Sequence, residues 1–186
     1  MFQIFRIDAG WIMGEIKDGT QAHFFDYSWI TNFLDDLMKA LLCVHGDWEQ
    51  DERAEQFRGE LEPAVDRWYL QMKEGRLFIH IDRYKNEKEE TTCEEINLEF
   101  DYYEFLKEFI DAMKGVLDKY GLLGYRKAWD GEFPVSLFLK LTDISEGTNK
   151  VNFFMIPAED NMGCETLGTE LNLEMEVLDR LREDIT

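Results

Sequence analysis

Between Ala64 and Tyr120 the hydrophobic period changes once, from two residues to helical spacing, and nothing else in the chain constrains its fold as tightly. Trp68, Leu70 and Met72 fall on one face of a first strand. Lys73-Glu74-Gly75 is a tight turn, in which glycine takes a positive φ without a steric penalty. Leu77, Ile79 and Ile81 then share a face, with His80 and Asp82 opposite. After a charged loop from Lys85 to Glu90, Ile96, Leu98 and Phe100 alternate with Glu95, Asn97 and Glu99. Strict alternation means one dry and one wet face, the habit of an antiparallel sheet. Next, Asp101 is placed to cap a helix and Glu104 to reach back toward it. Leu106, Phe109, Ile110, Met113, Leu117 and Tyr120 make one helical stripe, and Gly121 is expected to end it. A stripe of this kind must cover something, and the apolar face of the preceding sheet is nearest.

The rest of the chain supports an α+β fold: a mainly antiparallel sheet built from meanders, with two long helices packed on one face. Phe2 to Ile7 and Trp11 to Ile16 read as strands, and Asp18-Gly19 reads as a two-residue type I′ hairpin turn into a third strand from Gln21 to Phe25. Ser28 is placed to cap a helix whose stripe is Ile30, Phe33, Leu34, Leu37, Leu41 and Val44, ending at Gly46. Arg53 to Arg58 reads as a short edge strand and Glu62-Pro63 as a turn. Pro134 opens a short helix, Val151 to Pro157 reads as a strand, and the alternation from Glu170 to Val177 reads as another strand before a last helical turn. With no Ser/Gly-rich linker, residues 1–186 are expected to form a single domain, with 143–186 as a C-terminal extension of it.

Charge is the salient property of this composition. Forty acidic residues face twenty basic ones, for a net charge of −20. Such a surface repels nucleic-acid backbones and anionic membranes, so neither is expected as a partner. A basic protein is the expected partner, steered in by long-range attraction. Cys43, Cys93 and Cys164 form an odd set without metal-binding spacing, which fits reduced thiols in a cytoplasmic protein. The first ten residues lack the basic-then-apolar pattern of a signal peptide, and no apolar run reaches the roughly 18 residues of a membrane helix.

No nucleophile, phosphate-loop or zinc signature is present, so no catalytic residue, metal or cofactor is expected and the reading leans away from an enzyme. Asp47-x-Glu49-x-Asp51 begins like a calcium loop but has Glu52 where glycine is required and Arg58 where a bidentate glutamate is required. Two sets of interaction residues remain. Trp48 sits inside an acidic loop with Asp47, Glu49 and Asp51, as an interface anchor would. Glu94, Glu95 and Glu99 belong to the acidic run from Glu87 to Glu104 and suit a cationic surface. The alternative is a polar pocket around Arg67, His80 and Asp82, in which a small molecule binds or reacts.

The Ser28–Gly46 helix, Glu62-Pro63 leading into Trp68, the Asp101 helix, and Trp129 followed by Phe133-Pro134 together resemble small acidic bacterial cytosolic proteins. Some of those are similar to immunity proteins encoded beside contact-dependent or polymorphic toxins. The likeness spans Met1 to Leu141. It implies an inhibitor that plugs a basic toxin by charge complementarity, and it assigns no functional residues.

Overall fold

The structure is a computed structural model, and it describes residues 1–46, 54–86, 88, 91–152, 154–156 and 166–185. The fold is α+β. Strands β1 (Phe2–Asp8), β2 (Trp11–Lys17) and β3 (Ala22–Ser28) form an antiparallel meander, followed by helix α1 (Phe33–His45). Strands β4 (Ala54–Glu60), β5 (Val65–Lys73), β6 (Arg76–Tyr84) and β7 (Glu94–Asp101) form a second meander, followed by α2 (Tyr102–Trp129). Helix α3 (Val135–Ser145), a small ladder of β8 (Phe154–Ile156) and β9 (Thr166–Gly168), and helix α4 (Leu171–Ile185) complete the described elements.

Local chemistry explains most of the boundaries. Ala9-Gly10 and Glu74-Gly75 both have positive φ at both positions, the geometry that lets a two-residue turn follow the twist of its strands. The Asp18-Gly19 hairpin differs from the expected type I′ turn. Lys17 pairs with Ala22, so the loop holds four residues. Asp18 sets that length: its Oδ1 accepts from Thr20 N at 2.8 Å, Thr20 Oγ1 at 2.7 Å and Gln21 N at 3.0 Å, which replaces ladder pairing with a side-chain turn. Ser28 likewise does not cap α1. It is the last residue of β3, fully buried, and α1 begins at Phe33 after Asn32. Ile30 lies outside the helix and is exposed. The strand runs on because Tyr27 has a buried destination on the second sheet.

Asp101 caps α2 as its position suggested, accepting from Tyr103 N at 3.0 Å and Glu104 N at 3.1 Å. Gly121 (φ 62, ψ 176) kinks α2 instead of ending it, and the chain resumes helix as far as Trp129. The segment from Glu170 to Val177 is a correction of type. Its alternating residues do not share a dry face, since Leu171 and Met175 are exposed. The segment is the start of α4, which buries Val177 and Leu181, four apart, so the helix propensity of Leu, Glu and Met prevails over the period-two pattern.

Helix α1 lies against β4 and β5, while α2 lies against β1, β2 and β7. Between them Phe25, Phe33, Phe57 and Trp68 form an aromatic cluster, with Phe33 and Trp68 centroids 5.4 Å apart. Val151, Val177 and Leu181 join the same buried cluster as both sheets. Among the described residues, no helix is long and apolar enough to cross a membrane.

Candidate functional site

The outer face of the four-stranded sheet carries an open surface groove lined in part by polar side chains. Register builds it. Gln56 pairs with Tyr69, Tyr69 with His80, and His80 with Asn97, so one row of side chains crosses all four strands. In the neighbouring row Gln71 faces Phe78, which faces Glu99. The groove holds about 480 Å³ and is open to solvent. His80 is fixed at its centre: Nε2 lies 3.0 Å from Asp82 Oδ1 and Nδ1 lies 2.8 Å from Asn97 Oδ1. With both ring nitrogens engaged, the imidazole presents its plane and its edge to the groove and has no free base nitrogen. The Tyr69 ring lies 5.6 Å from it, and Phe78 stands 37% exposed on a sheet face.

The structure brings Arg67, His80 and Asp82 together on this face. Arg67 pairs directly with Asp82 in the ladder. Its guanidinium, however, lies 4.4 Å over the Tyr84 ring, and of the three only His80 lines the groove. The acidic set is placed along β7, the outermost strand of that sheet. Glu94 and Glu99 are exposed and meet Arg83 at 3.6 Å and Arg76 at 3.0 Å respectively, while Glu95 accepts from Thr92 Oγ1 at 3.0 Å. Two N–H groups on the open edge of β7 are already occupied: Glu99 N donates to Asp18 Oδ2 at 3.1 Å and Asn97 N to Gln21 Oε1 at 3.4 Å. The hairpin loop of the first sheet therefore blunts this edge against strand addition and leaves side chains as its means of contact. Asp47, Trp48, Glu49 and Asp51 lie outside the described residues.

A second polar constellation, not singled out by sequence reasoning, lies between the two sheets. Asp66 is 0% exposed and His23 1%. Arg83 grips the Asp66 carboxylate in a fork, Nε to Oδ1 at 2.8 Å and Nη2 to Oδ2 at 2.8 Å. Tyr27 Oη donates to Oδ2 at 2.7 Å, and His23 Nε2 lies 2.9 Å from the same oxygen. Trp68 Nε1 in turn donates to Tyr27 Oη at 2.8 Å. Burial by itself would raise the Asp66 carboxyl, but the hydrogen bonds from Arg83, His23 and Tyr27 outweigh it and hold it below its ordinary range. Tyr27 is pushed well above the usual phenol value, first by burial and then by the Asp66 charge. Gly59, opposite Asp66 in the ladder, makes room for this contact: a Cβ there would fall 2.5 Å from the Tyr27 ring. Strand parity carried the signal. Asp66 is in phase with Trp68 and Leu70, and Arg83 with Ile79 and Ile81, so both belong to the dry face, where a carboxylate requires a cation. The Asp66 carboxylate and His23 are sealed from solvent, Arg83 reaches the carboxylate from a partly exposed position, and the network ties β3, β5 and β6 together.

Another fully buried acid, Asp143, accepts from Val151 N at 2.8 Å and from the Thr148 hydroxyl. Burial works against its charged form, yet these bonds keep its carboxyl below the usual range, so it acts as a staple for the loop after α3. Cys43 is on the buried side of α1, and burial followed by the nearby Glu55 raises its thiol to about 11. Among the described residues, no group of three His, Cys, Asp or Glu side chains is arranged to hold a metal ion. No protein-family model matches the sequence, and comparison with curated proteins and with solved structures returns no significant match.

Proposed function

We propose that the protein is an acidic, non-enzymatic binding module of the bacterial cytoplasm, an immunity-type inhibitor that covers a basic toxin. The observation that carries this reading is the net charge of −20, with Glu94, Glu95 and Glu99 exposed along the outermost strand of the second sheet. A field of that size accelerates encounter with a cationic protein, and the β7 backbone that carries these carboxylates is already held in the sheet. The blunted β7 edge supports recognition through side chains over recognition by an added strand. Capture of a stoichiometric basic protein from the native host, with an association rate that falls steeply as salt rises, is the expected result. A partner that associates equally fast at low and high salt, or no stoichiometric partner at all, would overturn the proposal.

A second reading is favoured by the groove itself. An open face with a fixed imidazole, two aromatic rings and three carboxamides suits a small-molecule-binding domain, with His80 inside the site and Asp82 orienting it. Ligand-induced shifts confined to the second sheet, β4 to β7, would support this reading. A basic macromolecule protecting the β7 carboxylates would support the first.

A further inference from the structure

The geometry points to a saccharide site on the outer face of the four-stranded sheet, selective for neutral sugars; this inference rests on the small-molecule reading of the groove. The groove is an exception to the chemistry of the chain around it. In a protein of net charge −20, the polar and aromatic side chains meeting there are Gln56, Tyr69, Gln71, Phe78, His80 and Asn97; Glu55, which also approaches the Cys43 thiol, is the one acid among the lining residues, and no lysine or arginine is among them. The charged groups nearby are committed to one another. Arg76 pairs with Glu99 at 3.0 Å, Arg58 with Glu60 at 3.3 Å, and Asp82 with His80 at 3.0 Å. Little charge is left unsatisfied to recruit an ion, and the protein's overall field repels an anion.

What remains is a set of planar groups. Carboxamides offer a donor and an acceptor on one rigid fork, which matches vicinal hydroxyls that must donate and accept together. Phe78 and Tyr69 offer flat apolar area for the carbon-bound face of a pyranose ring. Phe78 is 37% exposed and is not part of the buried cluster, so its ring offers accessible apolar area on the wet face of the sheet. His80 is held on both nitrogens, so it adds a preset surface to the floor of the site and needs no rearrangement on binding. The groove, at about 480 Å³ and open to solvent, is within the size range of small-ligand sites.

The test is an amide-detected NMR titration of the full chain with neutral trisaccharides built from glucose, galactose or N-acetylglucosamine, with trigalacturonate as the anionic counterpart. At least one neutral trisaccharide is expected to shift resonances of Tyr69, Gln71, Phe78, His80 and Asn97 and leave β1 and β2 unmoved. Trigalacturonate is expected to bind more weakly. Phe78→Ala and Gln71→Ala, both surface changes that leave the core intact, are each expected to weaken binding by about tenfold. Shifts absent from the groove with all three sugars, or unaltered affinity in Phe78→Ala, would overturn the inference. If nucleosides or amino acids move the same resonances and the sugars do not, the saccharide assignment fails while the small-molecule reading stands. If a lysine-rich peptide alone moves them, the groove belongs to a protein interface and both fail.

Discussion

Replacing Asp66 with alanine should cost this protein more stability than any other single polar truncation on the second sheet. The carboxylate is fully buried and receives four contacts at 2.9 Å or less, two from Arg83, one from Tyr27 and one from His23. Alanine strips all of them at once. It leaves a guanidinium whose other contacts are Phe24 O at 3.1 Å and Glu94 at 3.6 Å, and it leaves the Tyr27 hydroxyl, its carboxylate acceptor gone, with His23 Nε2 at 3.1 Å. Hydrogen bonds to a charged group each contribute about 1.5–3 kcal/mol, but they are not additive here because they share one acceptor. Breaking a buried ion pair by removing one partner costs about 3–5 kcal/mol, and that is the expected loss. Against a total stability of about 5–15 kcal/mol, the variant should be partly unfolded at modest denaturant. Urea unfolding followed by tryptophan fluorescence reads this directly, since Trp68 is part of the network. Arg83→Ala should show a similar loss, and the double variant should lose less than the sum of the two, because neither charge is then stranded. A loss below about 1 kcal/mol in Asp66→Ala, or strict additivity in the double variant, would refute the claim that this network ties the sheets together.

Gly59→Ala places a Cβ 2.5 Å from the Tyr27 ring, so it should destabilise by about 1–3 kcal/mol in the same urea assay, and an unchanged midpoint would mean that the ring does not rest on that backbone. Asp18 is subject to a burial effect that would raise its carboxyl, but bonds from Gln21, Thr20 and Glu99 lower it from 3.8 to about 2. A folded value below the unfolded one means that its contribution is complete above pH ~4 and is lost as pH falls toward 2, so Asp18→Asn should flatten the decline of stability across that window, and parallel profiles for the two proteins would count against it. At pH 8 the buried Cys43, with its thiol near 11, should resist alkylation until the chain unfolds, while the exposed Cys93 reacts in the native protein. Peptide mapping by mass spectrometry separates the two, and equal labelling of Cys43 and Cys93 in the native state would contradict the packing of α1.

Much of the architecture is local and therefore readable in order along the chain. The β5–β6–β7 meander, the Asp101 cap and the left-handed end of α1 at Gly46 follow from side-chain period, a short carboxylate and a residue without Cβ, all of which act within a few positions. The same local logic placed His80 and Asp82 on the wet face with Arg67. Where it misled, a distant contact had the larger energy. Ser28 stays in a strand because Tyr27 beside it must reach Asp66, 39 positions along the chain. Asp18 opens its turn to four residues while its second oxygen caps Glu99 N, 81 positions on. Leu171 to Val177 alternates like a strand, but Leu173, Val177 and Leu181, spaced four apart, are the described residues that pack against the core, and they meet it as a helix.

Sequence alone determined the charge, the kinds of the elements up to α3 and the wet side of the strands from β5 to β7, because these depend on neighbours a few residues apart. Only the tertiary structure decided that Asp66, His23 and Arg83 share one buried carboxylate, and that four strands align Gln56, Tyr69, His80 and Asn97 into one groove. Pairing register is set jointly by the whole core, so a row of side chains drawn from four strands has no signature in any one of them.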